Sequence, residues 1–147
     1  MNYRNVESYD LEKITDLFDA YRVFYRKESD KESAKNFLEE RINQKDSEIF
    51  VAENQEGNLV GFVQLYPIFS STRMQKLWLL NDLFVNPEFR GKGISKGLIE
   101  TSKELAKDSG ACGLLLETEK SNIIGNSLYP RTGFVLNEAS NFYEWNI

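Results

Sequence analysis

The sequence predicts a single α/β domain spanning residues 1–147, with a mixed sheet of about seven strands flanked by four helices. Three observations carry that expectation. Leu77 to Val85 is nearly continuous apolar sequence, which suits a strand covered on both faces. A glycine-rich turn, Gly91-Lys92-Gly93, opens a long helix that Gly110 stops, and a second apolar strand, Gly113 to Thr118, follows it as a parallel crossover. Elsewhere short apolar stretches alternate with turn residues, so the parallel pair has antiparallel neighbours.

The elements follow in order. Asn2 to Ser8 reads as a weak first strand. Asp10 is placed to cap a helix to about Tyr25, because Leu11, Ile14, Leu17, Phe18, Tyr21 and Phe24 recur at helical spacing. Ser29-Asp30-Lys31-Glu32 reads as a capping box for a second helix with Ala34, Phe37, Leu38 and Ile42 on its apolar stripe. Ser47 to Glu53 and Leu59 to Tyr66 form a hairpin across Asn54-Gln55-Glu56-Gly57-Asn58, and Pro67 to Gln75 connects it to the buried strand. After Thr118 come a short helix, Ile123 to Arg131, and a closing hairpin of Phe134 to Leu136 with Phe142 to Asn146.

Composition removes several kinds of chemistry. There is no histidine, which excludes Ser-His-Asp and Cys-His schemes, the H-E-x-x-H zinc scheme and any imidazole base. The lone Cys112 excludes an internal disulfide and reads as a buried structural thiol. No metal is called for. A net charge of −5 argues against a nucleic-acid partner and favours a cationic substrate. No apolar run reaches membrane-span length and Met1-Asn2-Tyr3-Arg4 is no signal peptide, so no membrane partner and a cytoplasmic location are expected. Against the acidic background, Arg90, Lys92, Lys96 and Lys103 form a local basic patch opposed by Glu100.

That patch coincides with the glycines. Pro87 ends the apolar strand, Gly91 and Gly93 allow a sharp turn, and the amides opening the next helix are free for an anion. A P-loop cannot be aligned here. A dinucleotide fingerprint is also out of place, because Gly91, Gly93 and Gly97 stand several residues beyond the strand. Arg90-Gly91-Lys92-Gly93-Ile94-Ser95 meets a third scheme, Arg/Gln-x-x-Gly-x-Gly/Ala, except that Ser95 takes the last place. Further on, Asn122, Leu128, Tyr129, Gly133 and Phe134 fit a pattern of roughly Asn-x-x-Ala-x-x-Leu/Phe-Tyr followed by Gly-Phe, with Gly125 replacing the Ala and Pro130 intruding after the Tyr. The two together resemble the signatures of the GCN5-related N-acetyltransferase (GNAT) family, and Leu80-Asn81-Asp82-Leu83-Phe84-Val85 resembles its polyamine- and diamine-acetylating branch.

The resemblance implies the GNAT fold and an acetyl-CoA-dependent enzyme in which an amine attacks the thioester directly. It implies that the backbone of Leu83, Phe84 and Val85 holds the pantetheine arm. Amides of Gly91, Lys92, Gly93, Ile94, Ser95 and Lys96, with Arg90 beside them, hold the pyrophosphate. By the same resemblance Asn122 touches pantetheine and Tyr129 protonates the leaving thiolate, a feasible transfer between groups with pKa of about 10 and about 8.5. In the resembled branch a Glu stands where Asn81 stands here. The base is therefore a water held by Asn81, or Asp82 (which strand alternation places on the opposite face from Asn81), or Glu117. Tyr21, Tyr25, Tyr66, Phe69 and Trp78 are candidate walls of the acceptor site, and Phe142 and Trp145 of a homodimer contact. The expected acceptor is a small-molecule amine. Alternatives are a protein lysine or N-terminus, or a non-catalytic acyl-CoA-binding module.

Overall fold

The computed structural model describes all 147 residues, which divide into two compact units, Met1–Glu117 and Thr118–Ile147. The first contains β1 (Asn2–Asn5), α1 (Leu11–Phe24), α2 (Lys31–Gln44), β2 (Glu48–Glu53), β3 (Leu59–Ser70), β4 (Gln75–Val85), α3 (Ile94–Asp108) and β5 (Leu114–Leu116). The second contains α4 (Ile123–Arg131) and the chain beyond it. The strands lie in numerical order in one sheet, antiparallel from β1 to β4, with β5 parallel to β4. The mixed α/β architecture and four helices agree with the sequence reading; the strand count is five, not about seven.

The difference lies at the end. Asn137 forms the expected turn, accepting from the Ala139 amide at 3.0 Å, but neither Phe134 to Leu136 nor Phe142 to Asn146 is a strand. A lone pair of short strands has too little buried surface to hold itself together.

Alternation along the strands assigns the two faces of the sheet. Phe62 and Phe84 point to one face, where Ile14, Leu17 and Phe18 of α1 and Ala34 and Leu38 of α2 complete a buried core. Gly61 points to the other, where its missing Cβ would lie 3.5 Å from Ile94 of α3. Ile94, Leu98 and Ile99 bury that side of α3. A Cβ on Gly97 would lie 2.1 Å from the Tyr3 ring, so this glycine lets β1 pass beneath the helix and takes no part in an anion site.

Local details depart from the expected caps. Asp10 does not cap α1 with its side chain; its carboxylate receives Arg4 at 2.6 and 3.0 Å and the Glu7 amide at 2.9 Å. Burial pulls the Asp10 pKa upward, but Arg4 and the amide outweigh it and leave it below the ordinary value. Asp30, not Ser29, caps α2, accepting from the Ser33 amide at 3.0 Å. Ser29 instead donates to Asp19 at 2.6 Å. β3 runs past Pro67 to Ser70, because β2 has ended opposite Leu65 and a missing donor on that side breaks no ladder. Cys112 is half-buried, with the Arg73 guanidinium 3.6 Å from its sulfur, and is not the sealed thiol expected.

Candidate active site

In the first unit, the site begins where β4 and β5 part. β5 pairs with β4 only from Trp78 to Leu80, while β3 follows β4 as far as Val85. The Asn86 amide donates to Val60 at 2.9 Å, so Phe84 turns its backbone groups to β3 and Leu83 and Val85 turn theirs to the edge β5 has left. That edge leads to a short 3₁₀ turn, Pro87–Phe89, and then to Gly91 and Gly93, both left-handed at φ 76° and 78°. A Cβ on either would meet nothing within 4 Å, so backbone conformation alone demands glycine and the space above is open. The first helical bond of α3 runs from the Gly97 amide to the Gly93 carbonyl at 3.1 Å. The amides of Ile94, Ser95 and Lys96 therefore lack helical acceptors.

The side chains of the basic patch divide. Arg90 donates from Nε to the Val85 carbonyl at 3.0 Å, with its guanidinium 5.5 Å from the centre of the Phe24 ring and 5.6 Å from that of Phe84. It braces the end of β4. Lys92 lies over Phe89, and Lys103 pairs with Glu100 at 2.9 Å.

One expectation about β4 is overturned. The β3–β4 register shifts between Gln64 and Leu65, pairing Gln64 with Asp82 and Leu65 with Leu80, so Asn81 is an extra, bulged residue. Alternation fails there, and the Asn81 amide reaches the Asp82 carboxylate at 3.0 Å instead of standing on the opposite face. Asp82 is buried; it also accepts from Gln64 at 2.8 Å and from the Tyr21 hydroxyl, and Gln64 in turn accepts from Ser47 at 3.1 Å. Burial raises the Asp82 pKa above its ordinary value despite these donors.

Tyr21 also belongs to an aromatic group. Its ring meets Tyr25 edge-on at 5.1 Å and Phe62 at 5.9 Å, and Phe24 meets Tyr25 at 5.2 Å. Of the other proposed wall residues, Tyr66 is half-buried, its pKa raised mainly by burial, and Phe69 is largely exposed. Trp78 is buried and donates to Ser109 at the end of α3 at 2.9 Å, which makes it core. Glu117 closes the unit beyond β5. The Tyr21–Gln64–Asp82 constellation was missed from sequence: Gln64 carries no motif, and only the alternation of Phe62 and Gln64 marked it as inward-facing.

In the second unit, Asn122 caps α4. Its Oδ1 accepts from the Gly125 amide at 3.0 Å and its Nδ2 donates to Thr118 at 2.9 Å. A Cβ on residue 125 would lie 2.6 Å from that carboxamide, which accounts for Gly125 in place of Ala. Pro130 does not break the helix. It lies one residue from the helix end, and the turn is closed by the Thr132 amide on Leu128 at 3.1 Å and the Phe134 amide on Tyr129 at 3.0 Å. Tyr129 is half-buried, its ring edge-on to Phe134 at 5.8 Å.

β4 thus runs on beyond its pairing with β5 and leads at that end into the left-handed Gly91–Gly93 turn. Residues 12–134 match the Acetyltransferase (GNAT) family. An uncharacterised N-acetyltransferase of Bacillus subtilis is 42% identical over 134 residues, covering 91% of this chain and 89% of its own. A probable acetyltransferase of Haemophilus influenzae is 28% identical over 100% of this chain and 99% of its own. A crystal structure of a probable acetyltransferase superposes at a TM-score of 0.95 and 32% identity, covering 100% of this chain and 98% of that one. The chain belongs to the GNAT family and is an acetyl-CoA-dependent acetyltransferase.

Proposed function

We propose that this acetyltransferase acts on a primary amine of a small molecule, of the polyamine, diamine or amino-acid-like kind, by direct attack on the acetyl thioester. The observation that carries the reading is the β4 edge that β5 leaves at Leu83 and at the Val85 amide, the Val85 carbonyl being held by Arg90, and that edge runs directly into the Gly91–Gly93 turn. Bound there, acetyl-CoA supplies an activated acyl group with a thiol leaving group. Leu83 and Val85 offer backbone partners to its pantetheine amides, and the Leu83–Val85 edge offers a donor to the thioester oxygen. The amides of Gly91 to Lys96, with Lys92 and Lys96 nearby, suit the pyrophosphate; the open space over Gly91 and Gly93 supports that assignment. Asn122 is assigned to pantetheine, and the family match from 12 to 134 supports reading both units as one acetyltransferase domain.

For the acceptor, the buried Asp82, reached by the hydroxyl of Tyr21 whose ring packs on Tyr25, suits a cation. An alkylammonium with pKa of about 10.4 must lose a proton before it attacks. Asp82 takes it, through a water held by Asn81, and its raised pKa makes it a better acceptor than an ordinary carboxylate. The nitrogen then bonds to the acetyl carbon, the carbon–sulfur bond breaks as Tyr129 gives its proton to the thiolate, and the proton still carried by the new nitrogen leaves through water and restores the Tyr129 hydroxyl. A cytoplasmic location fits the supply of acetyl-CoA, and a homodimer is supported by the apolar exposure of residues 135–147.

The test is thiol release from acetyl-CoA against a panel of small amines, lysine peptides and N-terminal peptides. Turnover with diamines or polyamines is expected. Turnover on peptides alone would replace the small-molecule acceptor, and none with any amine would leave a binding module.

A further inference from the structure

Gln64 is a polar side chain on a face that otherwise packs as core. Strand alternation puts it beside Phe62 on the side of β3 turned to α1 and α2, and it is fully buried there. Burying a carboxamide is unfavourable unless its ends are hydrogen-bonded. Here both ends are: Oε1 accepts from the Ser47 hydroxyl at 3.1 Å, and Nε2 donates to Oδ2 of Asp82 at 2.8 Å. Gln64 and Asp82 stand directly opposite each other in the β3–β4 register, at the edge of the slip that bulges Asn81.

A carboxamide is directional, since one end only donates and the other only accepts. With Ser47 donating to the carbonyl end, the end turned to Asp82 is the donor, which suits an ionised carboxylate. Gln64 engages Oδ2, and Oδ1 faces the Asn81 amide at 3.0 Å, the group assigned above to hold the relay water.

We infer that Gln64 is a positioning residue for the acceptor base, held by Ser47 at one end and fixing the Asp82 carboxylate at the other so that its second oxygen stays turned to Asn81. This rests on Asp82 as the base and names the side chain that keeps it competent. Burial raises the Asp82 pKa, and the Gln64 donor works against that rise. Without the donor the carboxyl keeps its proton to higher pH and cannot take one from an ammonium. The titratable groups that bear on the carboxylate are the Tyr21 hydroxyl from α1 and Tyr66 from β3, which burial and Asp82 hold protonated. Arg41 of α2, paired with Asp46 at 3.0 Å, acts on Tyr66 in turn. A change at Gln64 removes none of them.

Gln64→Met keeps the length of the side chain and removes its donor. The readout is the pH profile of kcat at saturating amine, with Asp82→Asn measured alongside. Loss of an ordinary hydrogen bond to a charged group should move the alkaline rise in kcat upward by about one to two pH units, so that kcat falls by about 10–100-fold below the old midpoint and recovers at high pH. A purely structural Gln64 would instead lower kcat or raise KM at every pH and leave the midpoint in place. That result, with the rise abolished in Asp82→Asn, overturns the inference and keeps Asp82 as the base. An Asp82→Asn protein with a wild-type profile removes the base itself, and the inference with it. If Gln64→Met does not fold, the wild-type protein decides. The side-chain amide resonance of Gln64, followed by NMR, is expected to titrate across the pH range of the rise, and a resonance that stays constant there overturns the inference.

Discussion

Replacing Asp82 by Asn keeps the size of a buried side chain and removes its capacity to accept a proton. Three donors converge on this carboxylate: Gln64 at 2.8 Å, Asn81 at 3.0 Å and the Tyr21 hydroxyl. The amide offers one acceptor oxygen where the carboxylate offers two, so one buried donor loses its partner at a cost of about 1–3 kcal/mol. Relief of a buried charge offsets part of that. The sign with pH follows from the raised pKa. The fold holds the proton on Asp82 more tightly than the unfolded chain does. Stability from this group is therefore complete below the ordinary value of 3.8 and is lost as pH rises through the folded value. The Asp82→Asn variant escapes that loss, so its stability relative to wild type improves with rising pH across the same window. Turnover responds differently. A lost general base is worth about 10²–10⁴-fold, and the alkaline gain in rate that reports base ionisation should vanish with it. The assay is the pH profile of kcat for both proteins with the best amine of the panel, alongside melting curves. An Asp82→Asn protein that keeps full kcat and an unchanged profile would refute the assignment and return the base to Glu117 or to water alone.

Tyr129→Phe removes the proposed acid and keeps the ring packed on Phe134, so kcat should fall by about 10²–10⁴-fold with little change in acetyl-CoA affinity; full turnover in a folded variant would leave Tyr129 as packing alone. Gly97→Ala should lower stability in denaturant unfolding by about 1–3 kcal/mol through overpacking, because the new methyl lies 2.1 Å from the Tyr3 ring. In a Tyr3→Leu background the same change should stabilise α3 by up to about 1 kcal/mol through helix propensity, and a loss of equal size in both backgrounds would show that Tyr3 is not the obstacle.

How much the sequence disclosed depended on whether a feature was local. The order of helices and strands through α4, the left-handed turn at Gly57 and the glycine turn at Gly91–Gly93 are written in neighbouring residues, and the structure has them. The Asn81 bulge is not, since it exists only because β3 and β4 slip by one residue, a matter of pairing between segments far apart in the chain. Asp10 illustrates the same limit: a carboxylate before a helix normally caps it, but Arg4 on β1 arrives in the fold and claims both oxygens. Gly125 stood openly at a motif position and Gly97 at none, while the atoms that require glycine at each, the Asn122 carboxamide and the Tyr3 ring, could be found only in space.

The central claim is that the open β4 edge and the Gly91–Gly93 turn hold acetyl-CoA. Thermal melting of wild type and Gly93→Val with and without acetyl-CoA tests it most directly. Ligand at a hundred times its dissociation constant stabilises the native state by about 2.7 kcal/mol, roughly 5–10 °C for a chain of this size. Valine at the left-handed φ of 78° costs about 1–3 kcal/mol of fold stability and puts side-chain atoms into the space over the turn. Wild type should therefore show the full shift, and the folded variant should melt lower and gain little or nothing from the ligand. A wild type that does not shift, or a Gly93→Val protein that shifts as fully as wild type, would contradict the account.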